Sequence, residues 1–143
     1  MGEILITEPV PPIVIDDLGE LLIYPTIEMT CLEVETIDAR EGVLEAFDSE
    51  GRRLELSARG EVVSLAIRSG SGPDPAELER RLRLYIRPEW LPKMGLANLD
   101  GIPLSEMLQS LLEYERDEAS TSRQGWGRGA IAWLRRSVLR SRR

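Results

Sequence analysis

Between Gly42 and Arg68 apolar residues recur at every second position in three short stretches, and two tight turns separate them. In Gly42–Phe47 and Arg52–Ser57, Leu44, Ala46, Leu54 and Leu56 share one phase, and the connecting Asp48-Ser49-Glu50-Gly51 has the Asp-first, Gly-last chemistry of a type I turn. Arg59-Gly60 then leads into Glu61–Arg68, with Val63, Leu65 and Ile67 in phase. A chain with this pattern must pair antiparallel strands, because each run exposes one face and connections this short cannot reverse a parallel pair.

Two further runs, Ile13-Val14-Ile15 and Glu20–Tyr24, flank the turn-rich Asp16-Asp17-Leu18-Gly19. Pro9, Pro11 and Pro12 make the entry to the first of them irregular. Ile27 to Ile37 also reads as a strand, since Ile27, Met29 and Cys31 alternate with Glu28 and Thr30. Its phase flips after Leu32, so a bulge or bend near Cys31-Leu32 is expected. Taken with the hairpins, this predicts a four-strand antiparallel meander from about residue 27 to 68.

Helical signals follow the Ser69–Pro73 break. Asp74-Pro75-Ala76-Glu77 places Asp at an N-cap, Pro at N1 and Glu at N3. Leu78, Leu82, Tyr85 and Ile86 then recur at helical spacing until Pro88 stops them. Arg80, Arg81, Arg83 and Arg87 lie on the other side, placed to pair with acids of the sheet. Trp90, in Pro88–Pro92, is expected to plug the core where helix meets sheet. A second helix spans about Pro103 to Glu118, with Leu104, Met107, Leu108, Leu111 and Leu112 as a core-facing stripe.

The expected fold is α+β: an antiparallel β-meander of five to six strands, two packed helices, and a basic C-terminal helix or tail. A partly closed barrel is the alternative, because the meander is long relative to its helical cover. The chain divides into an acidic α+β domain, 1–118, and an Arg/Trp-rich segment, 119–143.

Charge is distributed as unevenly as structure. The 143 residues carry a net charge of −7, yet all 25 acids lie at or before Glu118, and residues 123–143 hold seven arginines and no acid. Residues 1–122 therefore set 11 basic side chains against 25 acidic ones, a net of −14. An acidic body repels phosphates and steers basic partners toward it.

The tail has three readings. Ile131, Leu134 and Val138 form one helical stripe, and Arg136, Arg140 and Arg143 lie opposite with Trp133 beside them. The segment can dock on the acidic body, lie on an anionic membrane, or hold nucleic acid phosphates with Trp126 and Trp133 stacking on bases.

Catalytic constellations are sparse. Histidine is absent, the single cysteine is Cys31, and there is no phosphate-binding glycine loop, nucleophile elbow or EF-hand loop. Neither a zinc site nor any cofactor is implied. Lys93, the only lysine, sits in a turn-like Leu91–Gly95 and reads as solvated. Asp16-Asp17 could bind a divalent cation, and Glu33 with Glu35 would project from one side of a strand; in so acidic a chain both read more simply as surface. The lone cysteine, an amino terminus without a secretory pattern and the lack of a long apolar run point to a cytoplasmic protein.

The expected function is therefore a non-catalytic module whose acidic surface, with Glu33 and Glu35 as contact residues, engages a basic protein partner. An immunity- or antitoxin-like inhibitor would be one form. The alternative is an adaptor tethered to anionic membrane or nucleic acid through Trp126, Trp133, Arg136, Arg140 and Arg143.

Overall fold

The structure is a computed structural model and describes residues 8–34, 39 and 42–121. Five strands form one antiparallel sheet: β1 (Ile13–Asp17), β2 (Glu20–Tyr24), β3 (Glu45–Phe47), β4 (Arg53–Arg59) and β5 (Val62–Ile67). Their order is β2-β1-β3-β4-β5, so the first hairpin attaches to the later meander through β1. The fold is thus α+β, as expected, and the sheet remains open.

Turn chemistry sets the hairpin registers. Leu18 and Gly19 both adopt positive φ, 55° and 98°, and the Gly19 amide donates to Asp16 Oδ1 at 2.7 Å, which joins β1 to β2 in two residues. In the β3–β4 connection Asp48 is fully buried. It accepts from the amides of Val10, Glu50 and Arg52 at 3.2, 3.0 and 2.9 Å and pairs with the Arg52 guanidinium. Register then follows, with Ala46 opposite Leu54, Leu56 opposite Leu65 and Ser57 opposite Ser64.

One expectation fails. Ile27–Glu33 is a helix, α1, not a strand, so the meander that ends at residue 67 has three strands and not four. Thr26 caps α1 by accepting from the Met29 amide at 3.0 Å, and the Thr30 hydroxyl donates back to Thr26 O at 2.9 Å. Ile27, Thr30 and Val34 recur at helical spacing and face inward, whereas Leu32 is 85% exposed. The apparent phase slip at Cys31-Leu32 is the 3.6-residue period of a helix sampled as though it were 2.

Each face of the sheet has its own core. On one, Ile13, Ile15, Leu22, Tyr24, Ala46, Leu54 and Val63 pack with Val34, Ala39 and Leu44. Here α1 touches both edge strands, β2 and β5. On the other face Val14, Leu21, Ile23 and Phe47 meet α2 (Pro75–Tyr85) and α3 (Leu104–Thr121).

The expected cap of α2 is present, with Asp74 accepting from the Glu77 amide at 3.3 Å and Pro75 in the first turn. Leu78 and Leu82 are fully buried, as are Met107 and Leu111 of α3, and burying each is worth about 1.5–3 kcal/mol. After a short 3₁₀ turn, Pro88–Trp90, the Trp90 ring closes the far end between Tyr85 at 5.3 Å and Tyr114 at 5.5 Å.

Candidate functional site

A densely built polar cluster joining helix and sheet centres on Arg81. From the flank of the apolar stripe of α2, its guanidinium reaches Asp16 Oδ2 on β1 at 2.7 Å and Glu45 Oε2 on β3 at 2.9 Å. It also lies 4.8 Å from the centre of the Phe47 ring, and Arg53 of β4 approaches the same ring at 5.1 Å while donating to Glu45 at 2.8 Å. Burial works against the Arg81 charge, but hydrogen bonds to Glu45 and Asp16 outweigh it and hold the guanidinium pKa above its ordinary value. The same Arg81 bond, helped by Arg53, draws the Glu45 carboxyl below the usual carboxylate range.

This chemistry is that of a clamp. Glu45 is held ionised and unsuited to donate a proton, and both guanidiniums are already occupied by carboxylates. Nothing in the sequence marked Arg81 above its three arginine neighbours. A helical wheel, however, sets it about 60° from Leu78, at the edge of the apolar stripe, where a cation has to find a partner on the sheet.

The other marked residues disperse. Asp16 is committed to Arg81 and Asp17 is buried on the opposite face, so the pair does not converge on a common point. Among the described residues no three acids or cysteines cluster as metal ligands. Lys93 lies in a turn, as expected, and pairs with Glu118 at 3.4 Å on the surface. Glu33 sits half-buried at the last position of α1, not on a strand beside Glu35. Glu35, Trp126, Trp133, Arg136, Arg140 and Arg143 lie outside the described residues. Cys31 faces β5, where burial pushes its thiol pKa up and the Leu65 backbone pulls it partly back.

What remains as a candidate surface is the outside of α3. Glu106, Gln109, Glu113 and Asp117 are exposed on the side opposite Met107, Leu108 and Leu111. Among the described residues, Glu106, Glu113 and Asp117 have no cationic partner. Six cations of the body meanwhile hold ion pairs with acids: Arg52, Arg53, Arg80, Arg81, Arg83 and Lys93. Among the described residues, pairing thus takes up much of the positive charge elsewhere and leaves Glu106, Glu113 and Asp117 of α3 without a counter-charge.

No family model, no curated protein and no solved structure matches this chain. Among the described residues no helix is long and apolar enough to cross a membrane.

Proposed function

We propose that the chain is a non-catalytic binding protein whose acidic surface engages a basic protein partner, an immunity- or antitoxin-like inhibitor being one form. The observation that carries this reading is the acidic ridge of α3, with Glu106, Glu113 and Asp117 exposed and without cationic partners among the described residues. The helix beneath it is fixed by Met107, Leu108 and Leu111, so the charges are presented on a rigid element. A ridge of this kind raises the encounter rate with a basic surface and disfavours acidic competitors.

The test is capture from source lysate by the full chain and by a Glu106→Lys, Glu113→Lys, Asp117→Lys variant. A basic protein is expected with the first and not the second, and its association rate should fall steeply as salt rises. Equal capture by both chains, or an association rate indifferent to salt, would overturn the reading. Capture of lipid or nucleic acid in its place would favour an adaptor working through residues 122–143.

A further inference from the structure

One part of the sheet has no cover among the described residues. On the face that carries α2 and α3, β4 presents Glu55, Ser57 and Arg59 beside Ala66, Ser64 and Val62 of β5, and all six are exposed. Val62 is 68% exposed, while the reverse side of the same two strands packs into the first core through Leu54 and Val63. The residues form three cross-strand rows: Glu55 with Ala66, Ser57 with Ser64, and Arg59 with Val62. The middle pair is joined hydroxyl to hydroxyl at 2.8 Å.

Glu55 and Arg59 stand about 14 Å apart at roughly 3.4 Å per residue along one strand, too far to pair with each other. Neither has an ion pair among the described residues. Among the described residues charge and shape therefore go unanswered, in opposite senses at the two ends of one short face.

We infer that this face is self-complementary and docks a second copy of the chain, sheet against sheet. The two-fold axis would run across the strands, above the Ser57–Ser64 pair. Such an axis reverses strand direction and returns the middle row to itself. It sets Glu55 against the second copy's Arg59, and Ala66 against the second copy's Val62.

Every row then meets a suitable mate: acid with base, small apolar with branched apolar, hydroxyl with hydroxyl. An isologous interface imposes that condition on each residue at once. The depression lined by Ser57, Ala58, Arg59, Val62 and Ser64 receives the second copy's Glu55 and Ala66. Three rows on two strands fall short of the ~800 Å² per partner of a stable complex, so the dimer is a weak one that forms at high concentration.

Sedimentation equilibrium of the full chain, taken up to roughly millimolar concentration, tests this. A reversible monomer–dimer equilibrium is expected. Glu55→Arg and Arg59→Glu should each weaken it by about tenfold or more, since each sets like charges face to face twice. Two restorations should follow. The double variant E55R/R59E recovers wild-type dimerisation, and an equimolar mixture of the two single variants forms a heterodimer. Circular dichroism verifies that these surface changes leave the fold intact. A chain monomeric at every concentration overturns the inference. So does a dimer indifferent to the single changes, or one that neither restoration recovers.

Discussion

Arg81 Nη1 donates to Asp16 Oδ2 across 2.7 Å although the two residues lie 65 positions apart, and this contact ties α2 to β1. The Arg81 side chain is 15% exposed and that of Asp16 12%, so removing the guanidinium leaves Asp16 poorly solvated and Glu45 half-served. Arg81→Ala should lower stability by about 2–3 kcal/mol in urea titration. Arg80, whose side chain is 59% exposed beside Glu77, provides the contrast. Its replacement by alanine should leave the urea midpoint nearly unchanged. Equal effects at the two positions would mean that the clamp is not a stabilising contact.

The same cluster gives stability a dependence on pH. The Arg81 hydrogen bond, with help from Arg53, holds the Glu45 pKa below its unfolded value. The stabilisation is therefore complete above the ordinary glutamate range, about pH 4.3, and is lost as pH falls through the lower folded value. Urea midpoints of the wild type should decline as the pH is taken from about 5 to about 3. In Glu45→Gln that part of the decline should be missing. An identical decline in both proteins would place the acid sensitivity elsewhere.

Gly51 closes the turn organised by Asp48 and lies against the start of α2. A Cβ built there falls 2.2 Å from the carbonyl oxygen of Asp74, and the residue's φ is +83°. Gly51→Ala should therefore cost about 3 kcal/mol or more, because strain and a backbone collision add. Gly60 has a similar φ of +63° but open space around its would-be Cβ. Gly60→Ala should lose only about 1 kcal/mol, the left-handed backbone penalty alone. Thermal melts of the two variants, compared at equal concentration, separate collision from strain.

What could be read from the sequence was whatever local chemistry decides. The Asp48–Gly51 turn, the Asp74 cap and the stripe of Leu104, Met107, Leu108 and Leu111 all act over a few residues, and each appears in the structure where expected. Ile27–Glu33 imitates a strand because Ile27, Met29 and Cys31 alternate with polar residues, whereas the Thr26 cap that starts the helix lies outside that pattern. The placement of β3 beside β1 was not legible, since it depends on contacts across the whole first third of the chain. For the same reason the selection of Arg81 from four helical arginines waited on Asp16 and Glu45 coming together. The acidic ridge of α3 stood in the sequence as Glu106, Glu113 and Asp117. Its lack of a cationic partner among the described residues depends on where the arginines pair in three dimensions.

Leu18 offers a gain in stability. It occupies the first central position of the β1–β2 turn with φ 55°, a left-handed conformation that disfavours branched apolar side chains, and it is 68% exposed. Its side chain therefore adds backbone strain with little burial in return. Asparagine adopts this conformation readily, and Asn-Gly is the preferred pair for a two-residue hairpin turn. Leu18→Asn should raise stability by roughly 0.5–1 kcal/mol, seen as a higher urea midpoint with an unchanged slope. Gly19 must stay, because its amide donates to Asp16 Oδ1 and its φ is +98°. A lowered midpoint in Leu18→Asn would mean that the leucine makes contacts worth more than the strain it imposes.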